Sequence, residues 1–322
     1  MLKLASGRFM PQIGLGAAGA SSPQSLTAAV EAALDAGYRH IDTAWVYENS
    51  EQAVGTALAN WIAREPFARC RSDVFITTKL WSIFARPDRV EYAVRQSLAR
   101  MQLEYVDLVL IHWPMALRHT GNDADTNPTE LVPGDGQQQQ RRSKVDAGVT
   151  LSDTWRALES LVDKGLVKYI GLSNVTESMI QTVHAGARVP IAVVQNEMHP
   201  YLPQERLLQQ CRDHGIVMVG YSPLGSPSSR FRSAAAPNLM ADPTILAIAA
   251  AHGCSPARIL ISWAVMRGTA VIPKSESPER LRANLVTIPL TEADMAAIAS
   301  LGKSPYRYFD PREMFGLNLF DE

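Results

Sequence analysis

Short β-branched runs alternate with amphipathic helical segments along nearly all of this chain, and that alternation most narrows what it can fold into. Repeated strand–helix units build a parallel sheet covered by helices. Strand character falls on Val74–Lys79, Val106–Ile111, Val167–Ser173, Val193–Glu197, Val217–Tyr221 and Ala270–Pro273, and His40–Asp42 reads as the end of another strand. Between them, Leu26–Ala36, Ser50–Arg64, Pro87–Met101, Ser152–Gly165, Thr176–Ala185, Gln204–His214, Asp242–His252 and Pro256–Arg267 read as helices, with Glu292–Gly302 before an irregular tail. Pro87 suits a first helical turn, Ser152-Asp153 is a start signal, and Gly165 is a stop.

Three successive strands each deliver an ionisable side chain at their carboxyl ends. HID ends in Asp42, FITTKL carries Lys79, and LVLIHW carries His112, while Tyr47 stands in the loop after Asp42. A carboxylate and a phenol suit proton transfer when a cation lies close, and the carboxyl-terminal face of a parallel barrel is where chemistry sits. Taken singly, each has a plainer reading: Asp42 as a helix cap, Tyr47 as a core aromatic, Lys79 as a surface charge, His112 as a satisfied core imidazole. Their joint occurrence at consecutive strand ends favours catalysis.

From MPQIGLG near the start to IPKSESPERLRAN near the end, the chain resembles the aldo-keto reductases, with Asp42, Tyr47, Lys79 and His112 on that family's catalytic Asp, Tyr, Lys and His. The resemblance implies one domain over 1–322, a (β/α)8 TIM barrel with an N-terminal β-hairpin plugging its bottom and long loops at its C-terminal face. The alternation around Ser6-Gly7 is consistent with that hairpin. A competing pattern lies in Gly14, Gly16 and Gly19, which spell GxGxxG with Asp42 downstream, the outline of a Rossmann site. The strand that should precede those glycines is short and holds Pro11, so GLG is read as the end of the first barrel strand. Residues 113–149 form a polar insertion too long for an ordinary connection, its base over the active site where a loop can act as a lid; 303–322 form a tail.

The chemistry implied is carbonyl reduction, with a hydride from NADPH, NADH being possible, and a proton from Tyr47. A free phenol has a pKa of about 10, so an ammonium that lowers it is needed, and Lys79 is the candidate, with Asp42 as its counter-charge. His112 is suited to orient the carbonyl oxygen. The resemblance places Ser173, Asn174 and Gln195 on the nicotinamide carboxamide, Tyr221 against its ring, and Ser222 and Leu224 along the pyrophosphate. It puts Lys274, Ser275 and Arg280 on a 2′-phosphate and Asn284 on adenine. An arginine fork matches phosphate oxygens. Glu276 departs from the family by setting a carboxylate beside that clamp, to repel the phosphate or pair with Arg280, and Ala283 replaces a glutamate that many relatives hold against adenine.

Trp45, Trp81, Phe84 and Trp113 are expected in the substrate pocket with the long loop and the tail. Ala18 joins them at a position where many relatives carry tryptophan, which opens one wall. Trp61, Trp155 and Trp263 lie within helices and read as core.

With 322 residues, a net charge of −1 and 46% apolar residues, the chain has a sizeable core and no field to recruit nucleic acid or a membrane. Its three cysteines show no metal spacing and read as reduced thiols of a cytoplasmic protein. The partner expected is a small carbonyl compound, and the family implies a monomer or homodimer. Three rivals remain: a non-catalytic NADPH-binding regulatory subunit of the same fold, a Schiff-base lyase or isomerase using Lys79, and a C=C reductase, for which relatives replace the histidine by glutamate.

Overall fold

A barrel closes where its last strand meets its first, and here that seam depends on a glycine. The structure, a computed structural model, describes residues 1–5, 7–119, 145–226 and 235–320. Eight parallel strands lie side by side in chain order: β3 (Leu15–Gly16), β4 (His40–Asp42), β5 (Phe75–Leu80), β6 (Val106–Ile111), β7 (Val167–Ser173), β8 (Val193–Glu197), β9 (Val217–Tyr221) and β10 (Ala270–Val271). The ring closes through a parallel bridge between Ile13 and Val271, with Val271 N donating to Gln12 O at 2.7 Å and Gly14 N to Val271 O at 2.9 Å. Gly16 N donates to Pro273 O at 3.2 Å, and a Cβ on Gly16 would lie 2.7 Å from Ile272 O. GLG is therefore sheet and seam, not a phosphate-binding turn, so the Rossmann reading fails on hydrogen bonds that are already made.

Two strands precede the barrel. β1 (Leu2–Lys3) and β2 (Phe9–Met10) pair antiparallel, Leu2 opposite Met10, as the hairpin expectation requires. Gly7 turns the chain at φ 92°, while Ser6 lies outside the described residues. Leu4 and Met10 join Phe75, Val193, Val217 and Ala270, the first residues of four barrel strands, in one buried apolar cluster. The hairpin thus plugs the amino-terminal end of the barrel.

Helices cover the outside: α1 (Pro23–Ala36), α2 (Ser50–Arg64), α3 (Pro87–Met101), α4 (Leu151–Asp163), α5 (Glu177–Gly186), α6 (Glu205–Asp213), α7 (Pro243–Ala251), α8 (Pro256–Met266), α9 (Pro278–Asn284), α10 (Glu292–Ser300) and α11 (Pro311–Phe315). Their apolar stripes and the outward side chains of the sheet form a second, larger core that includes Trp61, Trp155 and Trp263. Local chemistry sets the boundaries. Ser22 and Ser25 make a capping box that starts α1 three residues before the expected Leu26, and Thr150 with Asp153 caps α4 ahead of the expected Ser152. α9 and α11 stand in stretches that showed no helical periodicity; Ser277 and Asp310 cap them, each followed by proline in the first turn.

Candidate active site

The carboxyl-terminal ends of β4, β5 and β6 bring the expected groups together. Asp42 closes β4 and is 1% exposed, Lys79 in β5 is 2% exposed, and His112 follows β6. Lys79 Nζ hydrogen-bonds Asp42 Oδ1 and donates to Thr43 O at 3.0 Å. Its ammonium also lies 5.0 Å from the centre of the Tyr47 ring, close enough to act on that phenol. The Tyr47 and His112 rings meet edge to face with centroids 5.6 Å apart. One cation is therefore paired with a carboxylate and set beside a phenol, with an imidazole against the phenol.

Burial dominates the electrostatics. It is the largest influence on Tyr47 and raises the phenol above its ordinary value, although the Lys79 ammonium pulls it down. The expectation that Lys79 leaves Tyr47 with a lowered pKa is thus corrected in its net direction: the pull is present, and desolvation exceeds it. Tyr47 keeps its proton at neutral pH. For Lys79, burial disfavours the charge, but Asp42 and Tyr47 outweigh it and the ammonium is held. His112 is lowered well below its ordinary range by burial and then by Lys79, so it is a neutral imidazole. Its Nδ1 is buried and has no hydrogen-bond partner among the described residues.

The expected cofactor residues continue this face. Ser173 and Gln195 stand opposite each other in β7 and β8, and Gln195 Nε2 donates to Asp42 Oδ2 at 2.7 Å. Asn174 Nδ2 donates to His112 O at 2.8 Å, and its Oδ1 accepts from Tyr221 OH at 2.7 Å. Asn174 and Ser222 sit in left-handed backbone, φ 57° and 53°, a cost for residues with a Cβ that gathers at functional positions. Leu224 is half-buried in the same turn. Further out, Arg280 Nε donates to Ser275 Oγ at 3.4 Å, Lys274 Nζ donates to Gly19 O at 2.9 Å, and Asn284 is buried at the end of α9. Glu276 pairs with Lys274 at 2.6 Å and accepts from Ser21 Oγ at 2.6 Å. Of its two expected roles, pairing is found, but with Lys274 instead of Arg280.

The aromatic residues divide. Trp81 lies edge-on to His112, centroids 5.5 Å apart, and Phe315 of α11 packs on both Trp81 and Trp113. Trp45 turns elsewhere. It meets the buried Phe84 at 4.7 Å and lies under the Arg100 guanidinium of α3 at 4.5 Å, so this pair faces the helical layer. Ala18 is exposed after β3. At the ends of the expected 113–149 loop, Leu117 N donates to Ser82 O at 2.9 Å and Asp146 N to Ala116 O at 2.9 Å, which sets its base beside Trp81; the rest of that loop, 120–144, lies outside the described residues.

Sequence reasoning missed two residues around the site, Glu51 and Glu197, and reached Phe315 only as part of the tail. Glu51 is buried, accepts from Thr78 Oγ1 at 2.7 Å and from Arg100 at 3.2 Å, and so stiffens the strand that carries Lys79. Glu197 holds the tail, and Phe315 completes the aromatic wall.

A model of the Aldo/keto reductase family matches residues 12–303. The chain belongs to the aldo/keto reductase family. An aldo/keto reductase of Synechocystis sp. is 43% identical, over 99% of this chain and 95% of that protein. The aldo-keto reductase family 1 member A1 of Rattus norvegicus is 41% identical, over 96% of this chain and 90% of its own length. Among solved structures, an aldose reductase from Schistosoma japonicum superposes with a TM-score of 0.84 at 35% identity, covering 99% of this chain and 97% of that one. As an aldo-keto reductase the protein is an NAD(P)H-dependent oxidoreductase that reduces small carbonyl compounds. Among the described residues, no single helix is long and apolar enough to cross a membrane.

Proposed function

We propose that residues 1–322 form one barrel domain that reduces a small aldehyde or ketone, sugar-like or otherwise, to the alcohol with NADPH, and that Tyr47 supplies the proton. The observation that carries this is the buried Asp42–Lys79–Tyr47 chain beside a neutral His112. NADPH, when bound, supplies the hydride. The residues fit that group: Lys274, Ser275 and Arg280 converge from one turn and the start of α9, and two strained strand ends, Asn174 and Ser222, flank the half-buried Tyr221. On this reading Tyr221 backs the nicotinamide, with Ser173, Asn174 and Gln195 at its carboxamide.

As negative charge grows on the carbonyl oxygen, the Tyr47 O–H bond breaks and its proton passes to that oxygen. The phenolate left behind is stabilised by the Lys79 ammonium beside it, and Asp42 fixes that ammonium in place. The uncharged His112 donates one hydrogen bond to the carbonyl oxygen without competing as an acid. Trp81, Trp113 and Phe315 exclude water from the carbonyl side.

The test is a panel of aldoses, uronates, aromatic aldehydes and ketones, each assayed with NADPH and with NADH. Turnover of at least one carbonyl class, faster with NADPH, is expected. Cofactor binding without turnover of any member would point instead to a regulatory subunit, and preference for NADH would remove the phosphate clamp.

A further inference from the structure

Glu197 ends β8 with its side chain fully out of water, and two of its three partners come from a segment more than a hundred residues away. Oε1 accepts from Tyr308 N at 2.6 Å and from His199 Nε2 at 2.9 Å, and Oε2 accepts from Phe309 N at 3.0 Å. A buried carboxylate is tolerated only while its oxygens accept hydrogen bonds. Lifting the tail would strip two of these three bonds at once, so the tail is pinned at Tyr308-Phe309.

From that pin the tail reaches both sides of the site. On the cofactor side, Tyr308 OH donates to Pro237 O at 2.8 Å, and the Tyr308 ring fills the space beside Gly225, where an added Cβ would meet its hydroxyl oxygen at 2.9 Å. Gly225 belongs to the turn that carries Ser222 and Leu224 and has φ 73°, so the chain there is closely fitted to Tyr308. Phe309 meets the Tyr221 ring edge-on at 5.8 Å, and Tyr221 is the strand partner of Glu197 itself. On the carbonyl side, α11 follows within two residues and sets Phe315 5.0 Å from Trp113 and 6.3 Å from Trp81.

We propose that the segment Tyr308–Phe315 braces the two sides of the site, with Glu197 as its positioning residue: a cofactor seated at Tyr221 tightens the tail, and the tail sets the wall that meets the carbonyl compound. The proposal rests on the cofactor reading above. A brace of this kind couples cofactor occupancy to pocket shape without any residue touching both ligands.

Hydrogen exchange on the wild-type protein tests it. NADP⁺ is titrated while tryptophan fluorescence reports binding, and exchange is followed in the peptide that holds the Tyr308 and Phe309 amides. Exchange there is expected to slow about tenfold on binding, the size of an ordinary coupling between sites. Binding with unchanged exchange at these amides overturns the brace. Failure to bind at all overturns the cofactor reading, and the brace with it. Glu197→Gln gives the second arm, because an amide NH₂ cannot accept from the tail amides. It is expected to raise KM for an aldehyde and speed NADP⁺ release, each about tenfold, with kcat held within about twofold. A folded Glu197→Gln variant that loses only thermal stability would reduce Glu197 to a structural residue and overturn the proposal. If that variant does not fold, the wild-type exchange measurement decides alone.

Discussion

Tyr47 must hold its proton until the carbonyl oxygen needs it, and burial keeps it held. Tyr47→Phe retains the ring and removes the proton, so kcat is expected to fall at least about a hundredfold while NADPH affinity, measured by fluorescence quenching, stays unchanged. The pH profile has a definite sign. The protonated phenol is the active form and its pKa is raised, so activity persists through neutral pH and falls only as pH climbs beyond about 10. His112 is lowered well below its ordinary range, so the neutral form is already complete at neutral pH and contributes no acid limb there. A kcat/KM profile with a transition near the ordinary histidine value would contradict that assignment. Glu276 governs a separate choice. Lys274 first, then Ser21, hold its carboxyl down to about 2, so it is ionised at neutral pH and claims a lysine that the 2′-phosphate would use. Glu276→Gln is expected to tighten NADPH about tenfold, and Arg280→Met to weaken it roughly ten- to a hundredfold, with NADH unmoved by either. Calorimetric titration with both cofactors reads the two effects directly.

At the scale of elements, one capping group shows how the local code works. Thr150 Oγ1 accepts from Asp153 N at 3.1 Å and donates to the Asp153 carboxylate at 2.6 Å, while Asp153 returns a bond to Thr150 N at 2.9 Å, so Thr150→Ala removes both bonds of the hydroxyl and leaves the first turn of α4 without its side-chain cap. That change is expected to lower stability by about 1 kcal/mol in urea unfolding, with the helix retained because its apolar face stays buried. The barrel strands were legible because all but β7 are buried on both faces apart from the half-exposed Tyr221, and read as continuous β-branched runs. The ends of β4, β5 and β6 were legible for a related reason, since an Asp, a Lys and a His interrupt such runs conspicuously. Short elements hid. At seven and five residues, α9 and α11 span too few turns to show a 3.6-residue period, and only Ser277-Pro278 and Asp310-Pro311 marked them. Pairings between distant residues hid as well: nothing local in Glu51 announces Thr78 and Arg100, and nothing in Glu197 announces the Tyr308 amide. The direction of Trp45 was likewise settled by Arg100, a residue two elements away in sequence.

The whole molecule separates its chemistry from its anchorage, placing them at opposite ends of the barrel. At the amino-terminal end, Asp107 in β6 is fully buried and takes Arg71 at 2.8 Å, Arg8 of the hairpin connection at 3.1 Å and the Ile76 N–H at 3.0 Å. This cluster ties the plug to the sheet just where the strand ends open onto the hairpin, and no residue of the Asp42–Lys79–Tyr47–His112 group takes part in these bonds. Removing one member of a buried charge cluster is costly because its partners lose their counter-charge and an amide is left bare. Arg8 and Arg71 retain some contact with water, so the cost belongs at the lower end of the usual range. Asp107→Ala is therefore expected to destabilise the protein by about 3 kcal/mol, lowering Tm by several degrees. Well below that Tm, the NADPH dissociation constant and aldehyde KM should remain those of the wild type, since the barrel strands between transmit no freedom that their packed side chains lack. Calorimetric melting beside steady-state kinetics on one preparation checks both halves of the expectation. A variant that melts early and also binds NADPH poorly at low temperature would show that the plug reaches the active face, and the separation of the two ends would have to be given up.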